Sequence, residues 1–402
     1  MIPIVWVGFV LSIILLLVVA RKDLALGMFL AALLLGIFTP STTFIGRIIH
    51  LGRTIYSTFT DPSILLLALV VGFIPLIGGA LEVSGQMDVM VQNIRIGRKA
   101  FLAFSPALLG MLPMPGGALL SAPFVDKASD KKAKNETKVA INVWFRHVLF
   151  LIYPLSPALI ASAKIAKLEV YTVLLYLFPA FIFSILLGYL FWLRNIRGGM
   201  DYKDKFSAKG LIPIGIILIA PLADLFMKKV FKLPVKEIAT LIGVSISLIL
   251  SMAFGRIGIK ELAKIGKKMK PWKFAAIILG MFLFLNVFKS SSIPEHLKDF
   301  TLPSELLCVV LGFLFGVVTG RIQVPASIVI PVYLVKYGPM SPIVFAITYF
   351  SIFLGYVISP IHPCVSVSVE YFKVSIRDFL KVMVIPTFST LLLLLILSFF
   401  FL

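Results

Sequence analysis

Pro154-Leu155-Ser156-Pro157, with Lys167 ten residues after its second proline, returns as Pro360-Ile361-His362-Pro363 followed by Lys373. The offset is constant: 360 − 154 = 206, and 363 − 157 and 373 − 167 give the same value. Further out, Pro115 pairs with Pro325 and Ile2-Pro3-Ile4 with Ile212-Pro213-Ile214, both at an offset of 210. Proline lacks an N–H and clashes with the preceding turn, so each motif interrupts a helix and frees backbone carbonyls. In hydrocarbon such groups survive only where they are buried in protein or line a wet cavity. Paired helix breakers inside the apolar segments of a duplicated chain therefore mark where a membrane protein would hold a ligand.

The surrounding sequence calls for the bilayer as solvent. Of 402 residues 60% are hydrophobic and only 14% charged, and the mean hydropathy is +1.05. A net charge of +20 could suggest nucleic acid. Its basic residues, however, lie in short loops between apolar runs, which is the positive-inside pattern and excludes a nucleic-acid groove. Apolar sequence starts at Ile2 with no basic leader, and Arg21-Lys22 follows the first run. That segment is expected to be a helix with its amino end outside the cell, not a cleaved signal. Cys308 and Cys364 fall in apolar segments without metal-ligand spacing and read as packed small hydrophobes. No metal site and no cofactor are expected.

Ten apolar stretches read as spans: 2–20, 24–38, 63–84, 139–163, 169–193, 211–227, 237–254, 273–290, 342–365 and 376–401. Two others, 100–125 and 304–336, are interrupted by Pro113-Met114-Pro115-Gly116-Gly117 and Thr319-Gly320-Arg321-Ile322-Gln323-Val324-Pro325. Their arms, at roughly 1.5 Å per residue, reach only the bilayer midplane, so they are expected to be re-entrant hairpins. With this topology 25 of the 38 Lys and Arg fall on the predicted cytoplasmic side. Five spans plus one hairpin per half is an odd number of crossings, so the halves are expected to be oppositely oriented. The fold class is thus an all-α polytopic membrane protein of two inverted repeats, 1–200 and 205–402, forming one integral domain. Residues 43–58 and 256–271 occupy comparable places and read as amphipathic segments lying at the interface.

The candidate ligand site is assembled from both halves. Gly116-Gly117, with Pro115, lets backbone amides approach a ligand and opens a half-helix whose positive end points inward. Thr319, Gly320, Arg321 and Gln323 bring a hydroxyl, a guanidinium and an amide to the second tip. Ser156 and His362 lie within the proline-flanked breaks. An arginine at mid-membrane is expensive and calls for an anionic partner; the competing reading pairs Arg321 with Glu305 or Glu82. Arg146 is expected either at the site or near the cytoplasmic interface. His147 and His362 are the candidates for carrying a coupling proton. Asp224 reads as an interfacial anchor.

Together these features resemble the ion transporter superfamily, which groups gluconate-type permeases, sodium–dicarboxylate symporters and arsenite permeases. The stretch Gly110-Met-Leu-Pro-Met-Pro-Gly-Gly-Ala-Leu-Leu-Ser-Ala-Pro123 is similar to a branch described as a domain of unknown function and allied to the gluconate permeases. The resemblance implies a scaffold part and a mobile transport part, often a dimer, with substrate held between hairpin tips and helix breaks. The Ser-Asn-Thr signature of the dicarboxylate symporters is absent, which favours protons over sodium. The expectation is a secondary active transporter of a small organic anion in the cell membrane, moving like an elevator. An exporter of metalloid oxyanions or of a lipid-linked precursor is the alternative. An intramembrane enzyme is disfavoured because no His-Glu-x-x-His, paired intramembrane aspartates or Gly-x-Ser-x-Gly occur.

Overall fold

The computed structural model describes residues 4–38, 43–112, 114, 117–129, 133–200, 207–299 and 301–402; among them the regular structure is entirely helical. Among the described residues seven segments are long and apolar enough to cross a membrane. They are Pro62–Val83, Val170–Leu193, Ala208–Val230, Glu237–Gly255, Pro271–Ser290, Pro342–Tyr371 and Ile376–Phe401, and each coincides with an expected span. The other three expected spans are shorter helices: Ile4–Val19, Leu24–Ile37, and the pair Asn135–Val148 and Pro157–Ile165.

Ten helices of the first half recur in order in the second. Ile4–Val19, Leu24–Ile37, Phe44–Thr60, Pro62–Val83 and Gln86–Gln92 correspond to Ile212–Val230, Glu237–Gly255, Ile259–Met269, Pro271–Ser290 and Ile293–Asp299. These ten form a first bundle, from which Ile293–Asp299 also reaches out to pack on Gln323–Lys336. Arg98–Gly110, Gly117–Ala128, Asn135–Val148, Pro157–Ile165 and Val170–Gly188 correspond to Gly312–Thr319, Gln323–Lys336, Pro342–Ile358, Pro363–Tyr371 and Ile376–Phe401, and form a second bundle. Each bundle thus draws equally on both halves. Glycines permit the closest crossings: a side chain at Gly316 or Gly355 would overlap backbone of the facing helix, where Gly312–Thr319 meets Pro342–Ile358.

Both amphipathic segments are helices. Phe44–Thr60 exposes Phe44, Ile45, Ile48, Ile49 and Tyr56, whereas Ile259–Met269 buries Ile265 and Met269 against Gly79 and Ala80. Asp224, expected as an interfacial anchor, is enclosed by protein near the end of Ile212–Val230. It is 2% exposed and accepts hydrogen bonds from Tyr171 (2.6 Å), Thr240 (2.7 Å) and Lys228 (3.0 Å). Burial of a carboxylate is tolerated because every approach to it carries a donor.

Candidate functional site: a cavity between two broken helices

The proline motifs break their helices in the same way. Asn135–Val148 tightens into a 3-10 turn at Leu149–Leu151, and Pro157 then opens Pro157–Ile165. In the second half Pro342–Ile358 stops and Pro363 opens Pro363–Tyr371. The residue before each proline is extended, Ser156 at φ −61°, ψ 119° and His362 at φ −67°, ψ 124°. That is the region to which a following proline restricts its neighbour. Both short helices end in a left-handed lysine, Lys167 (φ 59°) and Lys373 (φ 54°). The next amide in each case reaches back to an orphan carbonyl, Leu168 to Ala163 and Val374 to Val369, both at 2.9 Å.

The two expected hairpins are helix pairs. Arg98–Gly110 packs on Gly117–Ala128, and Gly312–Thr319 on Gln323–Lys336. Pro113, Pro115 and Gly116 lie outside the described residues. At the second turn Gly320 is left-handed (φ 57°), and a Cβ there would come within 2.9 Å of the His362 amide nitrogen. The turn between the paired helices therefore touches the helix break of the same half.

A cavity of about 460 Å³ lies between these discontinuities. Of the residues singled out from sequence, Ser156, Pro157, Gly320, Arg321, Gln323, His147, His362 and Pro363 line it. Pro154 and Pro360 are not on its wall. Thr319 is 2% exposed and closes its own turn: its hydroxyl donates to the Phe315 carbonyl at 2.7 Å and accepts from the Arg321 amide at 3.3 Å. Gly117 acts indirectly, since a side chain there would overlap the Arg146 guanidinium. Phe274 of Pro271–Ser290 is the wall residue contributed by the first bundle, so the cavity sits at the seam between bundles.

Arg146 carries more of this site than its sequence position suggested. It is 3% exposed, faces the cavity, and donates weakly to Ser121 at 3.4 Å. Its guanidinium also reaches the thiol of Cys364, which lines the cavity instead of packing as an inert hydrophobe. Cys308, by contrast, is fully buried as expected. Arg321 has neither of its suggested partners, because Glu82 pairs with Lys268 at 3.0 Å and Glu305 meets Ser304. Among the described residues no carboxylate lines the cavity. Two guanidiniums thus share a partly enclosed space without a counter-charge from the described residues, which makes the site complementary to an anion.

The histidines stand together. His147 and His362 have ring centroids 4.7 Å apart, and Tyr356 stacks on His362 at 4.0 Å. His147 Nδ1 donates to the Val143 carbonyl at 2.6 Å, which leaves Nε2 as a lone-pair acceptor. His362 Nδ1 is buried without a hydrogen-bond partner among the described residues. With Cys364 the two imidazoles offer three ligand atoms within 4.8 Å of one another, a grouping that spacing along the chain does not announce. The adjacent guanidiniums oppose a bare cation there and favour an anion. Asn142, one turn before Arg146, donates to Ala118 O (3.2 Å) and Ser368 Oγ (2.9 Å), tying the broken helices of the two halves together.

Two comparisons bear on this arrangement. The family described as "Protein of unknown function (DUF401)" matches residues 10–400. The Alcanivorax borkumensis YdaH transporter, whose structure is described as having an unusual topology, superposes with a TM-score of 0.62. It shares 14% identity, and the match covers 92% of this chain and 95% of that one. The chain therefore has the fold of a transporter and, with its apolar helices, is a multi-pass membrane protein. No curated protein matches the sequence.

Proposed function

The chain belongs to the DUF401 family, and we propose that it is a secondary active transporter of a small organic anion, a carboxylate. The observation that carries this reading is the pair Arg146 and Arg321, facing one cavity at helix discontinuities with no carboxylate of the described residues beside them. Arg321 and Arg146 would hold the anion. Ser156, Gln323 and the amide ends of the broken helices would complete its hydrogen bonds.

The repeated order of ten helices supports two inverted-topology repeats, 1–200 and 205–402, each with five spans and one re-entrant hairpin. The kinship with gluconate-type permeases within the ion transporter superfamily is supported by the resemblance of the stretch from Gly110 to Pro123 alone. The sorting into two bundles supports an elevator-like displacement, with the second bundle carrying the cavity along the first. Coupling is assigned to the pair His147 and His362, both of which face the cavity, and a proton is the simplest carrier. The basic loops support a cell-membrane location with the amino terminus outside, in contact with anionic lipid. The family resemblance supports a homodimer.

Purified protein in liposomes, offered a panel of labelled carboxylates, tests the assignment. Uptake of at least one that depends on Arg321 is expected. Undiminished uptake by Arg321→Ala would remove the assigned role. Cys364 in the cavity gives a specific reason to include arsenite in the panel, because a thiol favours a metalloid oxyanion over a carboxylate.

A further inference from the structure

Both ion pairs that bridge the two bundles, among the described residues, meet at one turn. Lys164, on the last turn of Pro157–Ile165, pairs with Glu237 at the start of Glu237–Gly255 and donates to Ser63 on Pro62–Val83. Glu169 pairs with Lys236. Two residues on, Tyr171 donates to Asp224 (2.6 Å) and to the Pro221 carbonyl (2.9 Å) of Ile212–Val230. The remaining ion pairs stay within one bundle: Asp126 with Lys138, Asp224 with Lys228, Glu82 with Lys268, Asp23 with Lys273, and Asp378 with Lys381.

The duplicated chain supplies its own control. Shifted by 206 residues, Lys164, Glu169 and Tyr171 become Glu370, Ser375 and Arg377. The backbone there is the same, down to the left-handed lysine, yet the chemistry is not. Glu370 and Arg377 make no ion pair among the described residues, and Ser375 caps its own helix through Asp378. The two turns are equivalent in fold, and among the described residues only one is fastened to the first bundle by ion pairs.

We infer that Lys164–Glu237, supported by Glu169–Lys236 and Tyr171–Asp224, is a one-sided clasp that holds the second bundle against the first at the face bearing residues 164–171. It thereby sets how much of the time the cavity is closed to that face. The inference rests on the proposal that the bundles move relative to each other; it does not depend on which anion is carried. Lys164–Glu237 dominates, because both side chains are about four-fifths shielded from solvent (21% and 18% exposed). Glu169–Lys236 is open to water (52% and 67% exposed) and contributes less.

Cys364 reports the outcome, because it lines the cavity while Cys308 is buried. In a Cys308→Ser background, full-length protein in sided vesicles is treated with a membrane-impermeant maleimide, added separately to each face. Glu237→Gln and Lys164→Met are expected to raise the rate at Cys364 from the clasp face by about fivefold. The charge exchange Lys164→Glu with Glu237→Lys should return it toward the wild-type value, and Glu370→Gln should leave it unchanged. Single variants that label at the wild-type rate, or an equal rise for Glu370→Gln, would overturn the clasp. Should the single variants fail to assemble, Lys164→Cys with Glu237→Cys in a background lacking Cys308 and Cys364 gives a second reading. The oxidised pair should not transport, and reductant should restore transport; full transport by the cross-linked form overturns the inference. Failure of every carboxylate in the uptake panel, with clasp-dependent labelling intact, would sink the substrate assignment and leave the clasp standing.

Discussion

At the scale of single residues, the two buried guanidiniums have different reasons for their positions. Arg321 follows a left-handed glycine that only a residue without Cβ fills comfortably beside His362. Gly320→Ala should lower stability by about 1–2 kcal/mol, since it strains the turn and presses on the opposite break; a thermal melt of purified protein checks this. Arg146 lies where Gly110 and Gly117 leave room for it. Arg146→Ala and Arg321→Ala should each reduce anion uptake about tenfold or more, the loss expected for a charge-assisted hydrogen bond of about 1.5–3 kcal/mol. Lysine at either position should recover only part, because it cannot present a planar fork. Uptake as a function of substrate concentration separates these outcomes.

Legibility from sequence also divides at this scale. Ser156, Arg321, Gln323 and His362 could be placed because prolines and glycines act locally, and a break announces itself in its own few residues. Arg146 could not be placed with the same force, since its depth depends on where the helix begins, and Asn135 starts it four residues before the apolar run. Cys364 was missed for a related reason. One position after a helix-opening proline can face cavity or core, and which it faces is decided by how Pro363–Tyr371 packs on Gly117–Ala128 and Asn135–Val148.

At the scale of elements, the short helices after each break share a backbone form while their chemistry differs. Both keep a proline at their first position and a lysine in the left-handed region after their last turn. A non-glycine residue pays strain there, so Lys167→Gly and Lys373→Gly should each raise stability by about 0.5–1 kcal/mol. Raised melting temperatures in both would bear this out. An unchanged value in either would mean that the lysine stem's own packing offsets the strain. The sites now differ at Ser156 and His362, so one break presents a hydroxyl and the other an imidazole to the same cavity.

At the scale of the molecule, packing between bundles was invisible in the chain, because hydropathy says that a segment spans and not which neighbour it chooses. Asp224 shows the consequence: two of its three partners lie 16 and 53 residues away. Electrostatics at the loops gives a pH expectation. The Lys273 hydrogen bond, chiefly, holds the Asp23 carboxyl below its ordinary value. A carboxyl lowered by folding stabilises above its unfolded value near 3.8 and loses that contribution as pH falls through the folded one. Asp23→Asn should therefore cost a little stability at neutral pH and nothing under strongly acid conditions, as melts across pH would record. A reporter inserted in 194–209 that is active only in the cytoplasm should be active, given the basic character of that loop.

Helix Phe44–Thr60 leaves aromatic and branched side chains turned away from the protein. If these rest among lipid headgroups, the first bundle floats at a set depth like a hull at its waterline. Any rise and fall of the cavity is then measured against the membrane plane, and a micelle, having no such plane, removes the datum. Thinning or thickening the acyl layer should consequently alter how far the cargo must travel, and with it the turnover rate, without touching a single residue of the binding pocket.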